Sequence, residues 1–260
     1  MRLNKKVAIV TGGGVGIGKA ISLAFASEGA VVVVAARTQP RLETVAGEIR
    51  SRGGRAIAIQ TDVSDENQVK KMVAQTLSEY GQIDILVNNS GIAGPAINVV
   101  DIKLEDWNEV LAINLTGAML CSREVLKSMI ARQSGNIINI SSAAGRGGLA
   151  IRSPYCASKW GIIGLTQTLA VEVGEYNIRV NCIAPGPVEG ERIENVMKAE
   201  AEAMGLTYEA VRSRSTADAA LGRMVTATEI ANTAVFLVSD ESSGITGQVF
   251  DVNAGSRISV

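Results

Sequence analysis

The run Tyr155-Cys156-Ala157-Ser158-Lys159 sets a phenol and an amine four residues apart. On a helix that spacing puts both side chains on one face. An ammonium beside a phenol favours the phenolate, and bringing a phenol from its ordinary value of about 10 to about 7 takes roughly 4 kcal/mol of differential stabilisation. A phenol tuned in this way passes a proton to a carbonyl oxygen, or takes one from an alcohol, near neutral pH. Histidine usually does that work, and this chain has none. Alone, Tyr-x-x-x-Lys is a common structural pattern on helices. It gains weight from Ser142, which lies upstream at the end of an apolar strand candidate, where ligands bind in open α/β sheets. Ser141 is the competing serine.

The lack of histidine also removes Ser-His-Asp catalysis and the commonest transition-metal ligand. The three cysteines, Cys121, Cys156 and Cys182, form no CxxC or Cys/His cluster, so neither a disulfide framework nor a metal site is expected. With 25 Lys+Arg against 26 Asp+Glu, nothing suggests a grip on nucleic acid or on an anionic membrane. A small molecule is the expected partner. The first apolar run, Val7–Val10, is too short for a signal-peptide core. The longest apolar stretches, such as Ala30–Ala36, fall well short of the roughly 20 residues of a membrane helix. A soluble, cytoplasmic protein is the expectation.

The elements that must position these groups are legible in the apolar pattern. Strands are expected at Val7–Val10, Val31–Ala35, Ala56–Gln60, Ile83–Asn88, Asn136–Ile140, Arg179–Ile183 and Val249–Val252. Most are apolar throughout, as strands buried on both faces should be. Helices are expected at 16–28, 40–51, 65–79, 103–132, 154–174, 192–212 and 228–238, with a capping box from Thr226 and Glu229. Gly81, Gly135 and Gly174 fall where helices should stop. This alternation predicts an α/β fold: one doubly wound (Rossmann) domain over residues 1–260, with a parallel seven-stranded sheet covered by helices on both faces. With 47% hydrophobic but only 3% aromatic residues, its core must be aliphatic. The 186–224 segment is long for a connector and is expected to be a lid over the substrate.

After the first strand comes Thr11-Gly12-Gly13-Gly14-Val15-Gly16-Ile17-Gly18, then a helix. Glycines let a backbone turn closely around a pyrophosphate, and a helix N-terminus offers it free N–H groups. The spacing is GxxxGxG, from Gly12, Gly16 and Gly18, rather than GxGxxG. At the end of the second strand an acidic residue would bind the adenosine ribose and favour NAD(H). Here that strand ends in Ala35-Ala36-Arg37. An arginine fork suits a 2′-phosphate, so NADP(H) is expected over NAD(H).

With Asn88-Asn89-Ser90-Gly91 and Pro185-Gly186, these motifs in this order resemble the short-chain dehydrogenase/reductase family over nearly the whole chain. The resemblance implies a nicotinamide-dependent oxidoreductase. It makes Tyr155 the general acid/base and sets Ser142 on the reacting oxygen. Lys159 would hold the nicotinamide ribose, and Asn114 would anchor a water leading from Lys159 to solvent. Asp62 and Val63 would contact adenine, and Asn89, Ser90 and Gly91 would line the cleft with the turn residues Gly12, Gly14, Gly16, Ile17 and Gly18. Pro185, Gly186 and Val188 would flank the nicotinamide. Asp62 could equally start a turn, and Asn114 could be a helix-kink amide. Ser90 replaces the family's usual Ala, and Gly190 stands where a Thr is common.

The resemblance also implies a homotetramer, with the 103–132 and 154–174 helices pairing between subunits. Two other functions compete with a carbonyl/alcohol oxidoreductase. A 3-oxoacyl-carrier-protein reductase would be expected to carry Arg where Val171 stands. A non-catalytic NADP-sensing regulator would be expected to lose Tyr155 or Lys159, and both are present.

Overall fold

The computed structural model describes residues 1–217 and 219–256. Asp218 and residues 257–260, counted in the single domain expected from sequence, lie outside the described residues. Seven strands, β1 (Val7–Thr11), β2 (Val31–Ala36), β3 (Arg55–Gln60), β4 (Ile85–Asn88), β5 (Gly135–Ile140), β6 (Ile178–Pro185) and β7 (Val249–Val252), form one sheet in the order β3-β2-β1-β4-β5-β6-β7. Every pairing is parallel. The order reverses between β1 and β4, and there the C-terminal strand ends open the crevice in which such sheets bind ligands.

Successive strand residues point to opposite faces, and both faces are buried. Ala8, Val10, Val32 and Val34 join one apolar cluster, whereas Ile9, Val33 and Ala35 join the other. The first cluster is closed by α1 (Gly16–Ser27), α2 (Gln39–Ser51) and α9 (Ala227–Val238), through Phe25, Ile49 and Val235. The second is closed by α3 (Glu66–Tyr80), α5 (Gly117–Arg132) and α6 (Ser153–Val173), through Met72, Val125 and Val173. The capping box on α9 is present, with Thr226 and Glu229 each bonding the other's backbone.

Several expected boundaries move. The single 103–132 helix is α4 (Leu104–Leu111), a π-turn over Ala112–Thr116, and then α5. The 192–212 helix is α7 (Glu191–Met204) and α8 (Tyr208–Ala217), broken where Gly205 turns left-handed. Gly81 does stop α3, at φ 74. Helix α6 does end at Gly174, which stays right-handed and opens a 3-10 turn whose cap, Asn177 (φ 56), is left-handed. Gly135 stops nothing: Gln133 (φ 53) caps α5, and Gly135 opens β5. An Asn amide tolerates the left-handed conformation well enough to take that position.

Strand β4 begins two residues later than the apolar run predicts, because Asp84 is recruited as a floor tie. It is buried and accepts hydrogen bonds from the Val7 N–H at 2.8 Å, Gln82 Nε2 at 2.8 Å and Arg132 Nη2 at 2.7 Å. Asp84→Ala would orphan those donors at the N-terminal edge of the sheet. The expected loss is about 3 kcal/mol of unfolding free energy, read as a lower urea midpoint. An unchanged midpoint would show that water replaces the carboxylate without cost.

Candidate active site

The four groups picked for proton chemistry are carried by the C-terminal edge of the sheet. Ser142 follows β5, Tyr155 and Lys159 lie in the first two turns of α6, and Asn114 lies in the π-turn. Lys159 is buried, with its Nζ donating to the Ile140 carbonyl at 2.8 Å and standing 5.7 Å from the Tyr155 ring centroid. Phenol and amine therefore share one helical face, as their spacing requires.

The two serines separate by their bonds. Ser141 is buried, and its hydroxyl donates to the Lys159 carbonyl at 2.8 Å, tying β5 to α6. Ser142 Oγ accepts from the Ala144 N–H at 3.1 Å, and its own hydroxyl proton has no acceptor among the described residues. Ser142 is the serine with a donor to spare.

Asn114 is a helix-kink amide and a scaffold at once. Its Oδ1 accepts from the Ile92 N–H at 2.8 Å, and its Nδ2 donates to the Ile92 carbonyl and to Ser158 Oγ, both at 3.0 Å. Ser158 in turn donates to the Tyr155 carbonyl at 2.7 Å, so the π-turn braces the first turn of α6. A Cβ on Gly91 would sit 3.1 Å from Asn114 Oδ1 and 3.6 Å from Lys159 Nζ. A side chain there would press on the Asn114 amide.

The glycine turn fits a pyrophosphate on two counts. Gly12 is left-handed at φ 63, and a Cβ on Gly18 would collide with the Gly12 carbonyl and the Asn89 amide. The N-terminus of α1 is capped by Val15 with no side-chain bond, leaving its first N–H groups for an anion. Gly14 lies beside Arg41, Gly16 faces open space, and the Ile17 side chain packs on the core. Next to the turn is a cleft of about 160 Å³, lined by Gly12, Arg37, Asp62, Val63, Ser90 and Gly91. Arg37 is exposed, and its guanidinium makes no ion pair among the described residues. Asp62 also starts a turn, accepting from the Ser64 N–H at 3.0 Å and Ser64 Oγ at 2.6 Å.

At the far side Pro185 ends β6, and the Gly186 N–H donates to the Val252 carbonyl at 3.0 Å, with a Cβ there 2.9 Å from Asn253 Cα. Val188 is bridged to Val225. Gly190 caps α7 at φ 133, a conformation that would strain a threonine.

Four side chains join the site beyond the residues named for it from the sequence. Thr11 Oγ1 accepts from the Asn89 and Ser90 N–H groups at 3.0 and 3.1 Å, locking β1 to the cleft wall, and Thr61 lines the cleft. Arg152 is buried ahead of Tyr155, and its guanidinium donates to Glu200 at 3.1 Å and to the Gly94 and Val196 carbonyls, joining α7 to the start of α6. Arg192 Nη1 donates across the cleft to the Gly91 carbonyl at 2.9 Å. Thr11 adjoins the glycines and was the one most open to discovery. The two arginines needed the tertiary fold.

Burial, and then the Arg192 guanidinium, push the Lys159 amine down to about 7. Between that value and the ordinary lysine range, the unfolded chain binds the extra proton, so stability rises with pH. The penalty is complete below about 7 and fades as pH climbs towards 10.5. The ligand-free protein should therefore gain urea resistance between pH 7 and 10 relative to Lys159→Met; parallel profiles would mean that the ammonium is solvated.

The pattern of the short chain dehydrogenase family matches residues 6–201. Galactitol 2-dehydrogenase of Agrobacterium fabrum is 41% identical over 260 residues, covering 100% of both chains. The 3-oxoacyl-(acyl-carrier-protein) reductase FabG of Thermotoga maritima is 38% identical over 255 residues, 98% of this chain and 99% of that one. Among solved structures, NAD+-bound xylitol dehydrogenase superposes with a TM-score of 0.94 at 32% identity, covering 97% of this chain and 99% of that one. The match of motif, fold and site geometry makes this chain a nicotinamide-dependent oxidoreductase, and it belongs to the short-chain dehydrogenase/reductase family.

Proposed function

We propose that the protein interconverts a small carbonyl compound and its secondary alcohol, with NADP(H) preferred, through proton transfer at Tyr155. The observation that carries this reading is a buried Lys159 ammonium facing the Tyr155 ring, beside a Ser142 whose hydroxyl proton is unspent. When bound, the nicotinamide donates or accepts the hydride. In reduction, the Tyr155 hydroxyl gives its proton to the carbonyl oxygen as negative charge develops there, and Ser142 donates a hydrogen bond to the same oxygen. In oxidation the Tyr155 oxygen takes the proton from the alcohol. Lys159 stands beside the Tyr155 ring and binds ribose hydroxyls. Asn114 keeps α6 in place through Ser158 and anchors a water leading to Lys159 in this reading.

The unpaired Arg37 at the cleft supports the choice of NADP(H). Segment 186–224 acts as the substrate lid in this reading: α7 and α8 have their own apolar cluster of Met197, Ala201, Val211 and Met224, and Arg152 fastens α7 over the site. A hydroxylated or mid-sized ketone is favoured over a carrier-bound acyl chain, because α6 presents the neutral Val171, 85% exposed, where carrier docking calls for a cation. Trp160 and Val171 stand exposed on one face of α6, which supports a homotetramer paired through that helix. The free thiols of Cys121 and Cys182, pushed up to about 12 and about 11 by burial, are those of a protein suited to the reducing cytoplasm.

A panel of ketones and alcohols, followed by nicotinamide absorbance with both cofactors, tests the reading. Tyr155→Phe and Ser142→Ala should each lose at least about a hundredfold in turnover while binding NADPH normally. Ser141→Ala should keep its turnover and lose stability. Retained activity in Tyr155→Phe would remove the phenol from the reaction.

Cofactor choice has its own test. Arg37→Asp should raise the Kd for NADPH by about tenfold or more and leave NADH binding intact or improved. Unchanged selectivity would mean that the 2′-phosphate is read elsewhere.

A further inference from the structure

Arg192 is surrounded in sequence by carboxylates, with Glu189, Glu191 and Glu194 as its neighbours. It nevertheless pairs with none of them among the described residues. Its exposed side chain reaches from the first turn of α7 to the opposite wall of the cleft, where Nη1 meets the Gly91 carbonyl at 2.9 Å. Gly91 follows Ser90, whose backbone lies 3.2 Å from where a Gly12 Cβ would be. The guanidinium is therefore parked one residue away from the glycine turn, and on its other side it is near enough to Lys159 to help depress that amine. Arg192 and Lys159 thus flank Gly91 at the edge of the cleft, and the cleft's lining carboxylate, Asp62, is engaged by Ser64; two cations beside a helix N-terminus make a seat for an anion. A neutral carbonyl is a weak partner for a guanidinium that has four further N–H donors.

The geometry points to Arg192 as a clamp on the dinucleotide: its guanidinium exchanges the Gly91 carbonyl for the cofactor pyrophosphate, closing the N-terminus of α7 over the bound cofactor from the side opposite the glycine turn. This rests on nicotinamide cofactor use and assigns one chain-specific residue within it. The exchange also draws the second positive charge away from Lys159 at the moment that amine is needed as an ammonium.

Calorimetric titration of the full chain with NADPH, NADH and 2′-AMP tests the assignment, with 2′-AMP as the probe that lacks a pyrophosphate. Arg192 is exposed, so Arg192→Gln and Arg192→Lys should both fold. Arg192→Gln should weaken NADPH and NADH alike, by about 10- to 100-fold, leave 2′-AMP unchanged, and flatten the salt dependence of dinucleotide binding. Arg192→Lys should recover part of the loss. Dinucleotide affinities equal to wild type would overturn the proposal, as would an equal loss for 2′-AMP or a loss confined to NADPH. Normal dinucleotide binding with a raised KM for acidic substrates would assign the guanidinium to a substrate anion, which also overturns it. A wild-type chain that binds neither dinucleotide would instead sink the cofactor reading itself.

Discussion

An ammonium carried into an aliphatic interior with one neutral partner is the constraint around which this molecule is arranged. Lys159 is buried, its amine meets only the Ile140 carbonyl, and among the described residues no carboxylate offsets it. Removing a charge from water in this way costs several kcal/mol, so the surrounding contacts must hold the side chain where it would not stay by itself. Ser141 grips the Lys159 backbone carbonyl, Gly145 packs directly against the same backbone, and Asn114 braces the preceding turn through Ser158. Those contacts keep the amine on the Ile140 carbonyl and beside the Tyr155 ring.

Much of this could be read from the chain itself. Strands buried on both faces leave uninterrupted β-branched runs, and β1 and β2 lie where those runs fall. The Tyr155–Lys159 spacing needed only helical geometry to bring the pair together. What stayed hidden was decided by contacts between distant segments. Asn114 looked like either a kink or a relay anchor; in the fold it sits in a π-turn and also braces α6, because the π-turn is what aims its amide at Ile92 and Ser158. Serine choice at 141 and 142 depended on which hydroxyl the neighbouring helix would consume. The contacts of Arg152 and Arg192 belong here too, since only the return of α7 over the sheet gives either of them carbonyls to bind.

Gly190 illustrates how a departure from a family pattern should be weighed. Read as a letter change, it removes a hydroxyl. In the fold the position also takes φ 133 at the cap of α7, which is open to glycine and strained for other residues. Two residues later, Arg192 meets the Gly91 carbonyl.

Strand β4 spans four residues, with Asp84 at its foot and Asn89 at its head. At about 3.3 Å per residue, those ends are roughly 16 Å apart, beyond the distance at which substitutions usually cease to interact. The ion pair of Asp84 with Arg132 and the polar groups around the cleft thus belong to separate compartments of one sheet. Evolutionary drift, or deliberate engineering, can accordingly harden the floor without retuning the chemistry above it. The lid and cleft can change substrates while drawing on a reserve of folding free energy held elsewhere.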